Sequence, residues 1–415
     1  MKTSCEALVI GGGPAGAVAA ALLAQAGWSV VVLERKSFPR RKVCGEYLSA
    51  TNWPLLTQLG LDEAVHQQAG PAVRRVGLFV GEHALTAELP LSDVCGGRWG
   101  RALSRERLDS LLLNRAAALG AEVLQPWDAQ LLTEVEGGFV CRAASTEAAE
   151  SREIKTPIVI AAHGSWELGH LPTQLARRRP RAGDLLGFKT HFEHAALPDG
   201  LMPLLSFPGG YGGMVHVDEG RISLSCCVRR EQLEQIQRTE GRSDGEAVRA
   251  HIEESTPAVR RVLETATTAE RWLSAGPIRP GIRDCYRQGI FRVGNAAGEA
   301  HPAVAEGITM AMQSAQLLAE HLGPQRDAVR TKQTCDVVGR NYTHAWRVAF
   351  ARRIRVSGAI ANWAMRPTYV KACLPIIKHF PKLLTWGARQ SGKIDFPSRY
   401  EATTDAGPLS PYLAE

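Results

Sequence analysis

Residues 5–34 constrain this chain more than any other stretch. Ala7-Leu8-Val9-Ile10 is an unbroken apolar run, the pattern of a strand buried on both faces. Gly11-Gly12-Gly13-Pro14-Ala15-Gly16 follows at once, then an Ala/Leu-rich helix over 17–26 closed by Gly27, then Val30-Val31-Val32-Leu33, then Glu34 and Arg35. Strand, glycine turn, helix and strand make one βαβ unit. Gly11 permits the tight turn, Gly13 lets the backbone approach a pyrophosphate, and Gly16 lets helix and strand pack closely. Pro14 and Ala15 open a helix whose free N–H groups and positive dipole end suit phosphate. Glu34 stands roughly 20 residues on, where a carboxylate accepts hydrogen bonds from ribose hydroxyls. The unit predicts dinucleotide binding and leaves FAD and NAD both open.

A second signal lies far downstream. Ile290-Phe291-Arg292-Val293-Gly294-Asn295-Ala296-Ala297-Gly298 reads as a strand entering a turn, followed by His301-Pro302, Glu306-Gly307-Ile308 and a helix over 309–321. This resembles the second FAD motif of the flavoprotein monooxygenase and geranylgeranyl reductase superfamily, the para-hydroxybenzoate hydroxylase-like oxidoreductases. Arg105-Glu106-Arg107-Leu108-Asp109, with Leu111, Leu112, Ala116 and Gly120-Ala121, resembles a helix of the same family. Arg41-Lys42-Val43-Cys44-Gly45-Glu46 resembles the C-G-[EDG] segment of its geranylgeranyl reductase-like branch, the nearest one. The resemblance implies FAD as cofactor. It implies that Arg105 meets FAD, that Cys44 and Gly45 lie over the flavin, and that Gly294, Asn295, Pro302, Gly307 and Ile308 border it.

The chain also departs from that pattern. Ile158-Val159-Ile160-Ala161-Ala162-His163-Gly164-Ser165 carries His163 where the family has Asp, and Asn295 replaces a second Asp. Asn keeps hydrogen-bonding capacity without charge, so FAD binding is expected to survive. His163 is either a neutral replacement or a titrating group near the cofactor, with Gly164 beside it. NAD(P)H as electron donor is left open by these changes. Of the reductase branch's aromatic motif only Tyr211 is retained, in Pro208-Gly209-Gly210-Tyr211-Gly212-Gly213. Flavin halogenases resemble the same scaffold, but their Trp-x-Trp-x-Ile-Pro motif and catalytic Lys context are absent, so halogenation is not expected.

The expected fold class is α/β: a Rossmann-type FAD-binding domain, an interleaved strand-rich α+β substrate domain and a C-terminal helical region. A chain of 415 residues exceeds the roughly 250–300 at which one core stops growing. The FAD domain is expected over 1–70, 98–180 and 277–330, the substrate domain over 71–97 and 181–276, and a helical cap over 331–415. Alternation predicts strands at 75–80, 187–192, 213–217 and 221–228, and helices at 231–236 and 245–253, the latter extended by 260–265. The arginines at 177–181 read as a solvated loop at a domain junction.

Nine scattered Cys without a CxxC pair point to reduced thiols and a cytoplasmic setting. No metal-ligand spacing and no hydrolase triad order is visible. The net charge of +7 brings no interleaved aromatic platform, so nucleic acid is not an expected partner. Between 337 and 393 there are eleven Lys or Arg and no Asp or Glu, with apolar residues among them and prolines at 367, 375 and 381. This predicts short amphipathic helices. They read as a cap with a solvated basic face, as a peripheral contact with an anionic membrane, or as a dock for an acyl carrier protein.

The chemistry expected is FAD-dependent oxidation, with monooxygenation of a hydrophobic aromatic or polyketide-like small molecule in secondary metabolism favoured. The alternatives are C=C reduction of a prenyl or polyenoid lipid, and a flavoprotein maturation factor acting on a partner protein. His301, which precedes Pro302, is the first candidate for acid–base work. Glu46, Cys44, Tyr211 and His216 are the others.

Overall fold

The computed structural model describes residues 3–390 except 90, 92–95, 165–168, 177, 241–242, 328 and 330. Ser165, Arg177 and the 391–415 part of the expected cap lie outside the described residues.

Two large sheets organise the chain. In the first, Ala7–Ile10 pairs in parallel with Val30–Leu33 on one side and Ile158–Ala161 on the other. Glu122–Leu124 and Ile290–Arg292 extend it, also in parallel, and Tyr286–Arg287 closes one edge antiparallel. The continuous apolar runs follow from burial on both faces. Ala7 and Val9 pack with the helices Pro14–Gln25, Arg105–Ala118 and Gly307–Leu322, while Leu8 and Ile10 pack with Trp127, Leu132 and Phe139 of a three-stranded sheet behind.

The second sheet has eight strands. From one edge they run Thr267–Thr268, Leu185–Glu193, Ile222–Arg229, Gly210–His216, Leu201–Phe207, Arg75–Val80 and His83–Glu88, with Leu273–Ile278 also on Leu185–Glu193. Strand period two separates its faces. Phe188, Phe192, Leu224, Cys226 and Val228 belong to a core shared with the helices Arg230–Glu240, Asp244–Ser255 and Pro257–Leu263. Lys189, His191, Ser225, Cys227 and Tyr211 alternate with them, on the face toward the glycine-turn unit. The expected continuation of the helix at 245–253 through 260–265 is corrected: Pro257 begins a new helix after Thr256, because proline suits the first helical turn and disfavours a helical residue before it.

The C-terminal region also differs from the expected run of short helices. Lys332–Ala364 is one helix of 33 residues, since no proline interrupts it before Pro367. Tyr342, Trp346, Phe350 and Ile354 recur every four residues and bury against the glycine-turn unit, so most of this helix packs on that unit. Only its last turns, with Ala361 and Ala364, reach the second sheet. Pro367–His379 and Lys382–Gln390 are short, as expected, but Pro375 lies inside the former. Val370, Leu374 and Ile377 anchor that helix against Leu78 and Val80.

Candidate active site

The cofactor cleft opens where the parallel strands end. Its lining includes Gly11, Gly13, Pro14, Ala15, Glu34, Arg105, His163, Gly164, Asn295, Pro302, Gly307 and Ile308, with Cys44, Gly45 and Glu46 on one wall. A Cβ added at Gly13 would meet no atom nearer than Arg105 Nη2 at 3.8 Å, so that glycine fronts open space. Gly307 faces open space too, at the N-terminus of the helix Gly307–Leu322. Gly16 and Gly294 are not in the lining. A Cβ on Gly16 would stand 1.8 Å from the Gly11 carbonyl oxygen, and Gly294, at φ +57°, would press one to 2.9 Å of Ala15. They shape the turn rather than touch the cavity.

Glu34 is buried and fixed. Gly12 N donates to its Oε2 at 2.8 Å and Lys36 N to its Oε1 at 2.9 Å. Arg35, expected beside the cofactor, is exposed and is not among the residues lining the cleft. Arg40 and Lys42 line the cleft instead. Burial, with the Arg105 and Arg40 charges next, lowers Lys42 to about 8. Arg105 is held by a bidentate pair with fully buried Asp109, at 2.7 and 2.6 Å, one helical turn on. Asn295 Nδ2 donates to Glu299 Oε1 at 3.2 Å, so a buried carboxylate stands beside the position where the family Asp is replaced.

Glu46 is a different object from the acid–base candidate expected. It is almost wholly buried and adopts φ +61°, a left-handed conformation costing a non-glycine residue roughly 1–3 kcal/mol. Its carboxylate accepts from Lys189 Nζ, His191 Nε2 at 2.8 Å and Arg105 N at 2.9 Å. Burial alone would raise its pKa, but the His191 hydrogen bond and the Lys189 charge bring it down to about 2. At neutral pH it is a fixed anion joining the second sheet to the cleft wall. Glu270 extends the cluster toward solvent, 3.3 Å from His191 Nδ1 and paired with Arg41 and Arg221.

Beside the cleft lies a second cavity of about 290 Å³. Val43, Cys44, Gly45, Pro302 and Ala305 line both, so they form the shared wall. Met202, Leu204, Met214, Val215 and Ile278 make the chamber apolar, and Trp363, Ile377, Leu384 and Ala388 close it from the C-terminal helices. Tyr211 is its phenol. The hydroxyl stands 3.3 Å from His301 Nδ1, and burial holds the phenol well above its ordinary pKa. His301 itself lines neither cavity. Its ring sits behind Tyr211, near Gly358 of the long helix, and burial lowers it to about 4. His216 is not brought to the site, since its Nε2 lies 2.8 Å from the Leu197 carbonyl.

The sequence reading missed Arg40, Lys42, Lys189, His191 and Glu299. The basic run at 40–42 was a visible signal. Lys189 and His191 had none, because their partner Glu46 lies more than a hundred residues away in the chain.

The family model described as "FAD binding domain" matches residues 4–327. The chain belongs to this family. It is an FAD-dependent oxidoreductase, and the cleft fits that cofactor: open space in front of Gly13 and Gly307, a carboxylate at Glu34 and a cationic group at Arg105. Gly13 and Ala15 would hold the pyrophosphate, Glu34 the ribose, and Cys44, Gly45 and Pro302 would border the flavin ring.

A tryptophan 2-halogenase of Chondromyces crocatus is 26% identical over 77% of this chain and 61% of its own length, so the chain spans less than two thirds of that relative. A menaquinone reductase of Mycobacterium tuberculosis is 27% identical over 86% of this flavoprotein and 87% of its own length. Among solved structures, a myxobacterial chondrochloren halogenase superposes with a TM-score of 0.75 at 19% identity, covering 93% of this chain and 91% of its own. That likeness shows the fold. Among the described residues no helix is long and apolar enough to cross a membrane, and no group of His, Cys, Asp or Glu is placed to hold a metal.

Proposed function

We propose that this flavoprotein is a monooxygenase that adds oxygen to an apolar, electron-rich aromatic or polyketide-like compound seated in the chamber. One observation carries the reading: an apolar cavity shares a wall with the cofactor cleft and presents a single phenol, Tyr211, backed by a neutral histidine. Bound FAD, once reduced, supplies the electrons for oxygen chemistry. The chain's own part is to seat the substrate, exclude water and hold a proton at the Tyr211 hydroxyl. His301, held neutral by burial, shares a hydrogen bond with this hydroxyl through Nδ1, its direction set by the imidazole tautomer. No lysine lines the chamber among the described residues, and buried Lys189 is engaged by Glu46, which argues against a halogenase arrangement.

The likeness to a menaquinone reductase along most of both chains supports a second reading, in which two hydrogens add across a C=C bond of a polyenoid lipid and Tyr211 gives the proton. One experiment separates the two. The FAD-loaded protein is incubated with NAD(P)H, which also tests the donor, and a panel of hydrophobic phenols and of polyprenyl lipids without a quinone ring, with and without O₂. Products are weighed by mass spectrometry. Monooxygenation predicts gain of one oxygen atom, only with O₂. Gain of two hydrogens in its absence would establish the reductase instead.

A further inference from the structure

The two helices that close the chamber also show solvent an unusual outer face. On Pro367–His379 and the turn after it, Tyr369, Ile376 and Phe380 are 57%, 57% and 56% exposed. On Lys382–Gln390, Trp386 is 60% exposed. Spacings of seven and four put Tyr369, Ile376 and Phe380 on one side of their helix, about 100° around the axis from the buried stripe of Val370, Leu374 and Ile377. Large apolar side chains grouped in this way on a soluble surface mark an interaction site.

The charge carried by these two helices has one sign. Lys371, Lys378, Lys382 and Arg389 lie on these helices and Arg366 just before them, with no Asp or Glu; helical spacing puts Lys382 and Arg389 beside Trp386, and Lys371 and Lys378 on the far side of their helix from Tyr369 and Ile376. None of the five makes an ion pair among the described residues. The nearby carboxylate-bearing edge is His83–Glu88, to which Thr385 Oγ1 is tied through the Glu88 carbonyl at 2.8 Å. A basic, aromatic-bearing face is the pattern of a helix lying in the headgroup region of an anionic bilayer: rings enter the interface and lysines meet phosphates.

The inner face of the same helices is the chamber wall. Ile377, Leu383, Leu384, Gly387 and Ala388 line it, and Leu383 is also 42% exposed. Two short helices therefore separate an apolar cavity from an apolar, basic surface. We propose that this face docks on an anionic phospholipid bilayer, from which a lipid-soluble substrate reaches the chamber without crossing water. The proposal rests on the reading of the chamber as a substrate site. The bilayer is favoured over an acidic carrier protein because the helices that carry this face also wall the apolar chamber, so a lipid-soluble substrate held in the bilayer would have only these helices to pass.

The test is sedimentation of the full-length, FAD-loaded protein with vesicles of phosphatidylcholine, alone or mixed with phosphatidylglycerol, followed by flavin absorbance. Binding is expected to the mixed vesicles at low salt. It should weaken as salt rises from about 10 mM to 150 mM, where the screening length falls from roughly 30 Å to 8 Å. Ile376→Ser, Phe380→Ser and Trp386→Ser together should lower partitioning by roughly tenfold or more with FAD content unchanged. Lys382→Glu with Arg389→Glu, a second variant that leaves the apolar side chains in place, should weaken binding and flatten its salt dependence. Failure of the wild type to bind mixed vesicles at low salt overturns the proposal, as does binding that neither variant alters. Capture by an acyl carrier protein, or self-association through this face, without vesicle binding also overturns it. Vesicle binding without oxygenated product would leave docking standing and sink the monooxygenase reading. Oxygenation of a dispersed substrate without vesicle binding would do the reverse.

Discussion

At the scale of single residues, the cofactor cleft rests on side chains that position one another before any ligand arrives. Glu34 receives two backbone N–H groups, so its carboxylate is fixed in the cleft, where it would meet the ribose. Glu34→Ala is expected to weaken FAD binding by roughly 1.5–3 kcal/mol, the worth of hydrogen bonds to a charged acceptor, and to leave Gly12 N without its partner. Titration of the apoprotein with FAD measures this, and unchanged affinity would show that Glu34 serves only the turn. Tyr211 and His301 form the other residue-scale device. Since His301 is lowered to about 4 from 6.5, it stays neutral through the physiological range and becomes charged only near pH 4. The acid limb of kcat/KM is therefore expected near pH 4. His301→Ala should abolish that limb while FAD stays bound. A limb at pH 6–7 that survives the substitution would remove His301 from the mechanism. The glycine turn was legible in the sequence because its tight backbone leaves no room for a Cβ at Gly11 or Gly16. The role of His301 was not, because adjacency to Pro302 says nothing of which way the ring turns.

At the scale of elements, the joint between the two sheets is built from one strand and one segment. Period-two alternation on Leu185–Glu193 sends Phe188 and Phe192 into one core and Lys189 and His191 to the opposite face, where both meet Glu46. A buried pair is costly to assemble, but removing one member leaves the other charge stranded. Glu46→Ala is expected to destabilise the fold by roughly 3–5 kcal/mol in denaturant unfolding, with FAD loss as a consequence. The pH dependence follows from a depressed carboxylate. The stabilisation is complete above the ordinary Glu value of 4.5 and is lost as pH falls toward about 2. A Glu46→Ala protein as stable as the wild type would make the cluster energetically neutral. Four of this sheet's strands were readable from alternation, and Arg75–Val80 has the bounds expected, whereas Leu201–Phe207 and His83–Glu88 were not foreseen. Helix lengths were less so. The long helix Lys332–Ala364 is held by a stripe of Tyr342, Trp346, Phe350 and Ile354 against a distant unit, and tertiary burial of that kind leaves no mark on local composition.

At the scale of the whole molecule, three parts of the chain that are far apart in sequence close one chamber. Residues 43–45 and 302–305 form the wall toward the cofactor, the second sheet forms the floor, and the C-terminal helices close the remaining side. The cofactor cleft shares only the first of these walls. Cofactor retention and substrate fit should therefore separate. Trp363, near the end of the long helix, lines the chamber and takes no part in the cleft. Trp363→Ala removes a large aromatic face from the substrate side and leaves every contact of the glycine turn, Glu34 and Arg105 in place. Full FAD content is expected, read as the ratio of flavin to protein absorbance. For substrates that fill the chamber, KM should rise by roughly tenfold or more, since burial of an aromatic-sized apolar surface is worth about 1.5–3 kcal/mol. Bulkier homologues should gain relative to smaller ones, because the vacated volume admits them. Loss of FAD together with activity would mean that the long helix supports the cleft as much as the chamber. An unaltered KM across a graded substrate series would mean that catalysis takes place elsewhere than in this chamber.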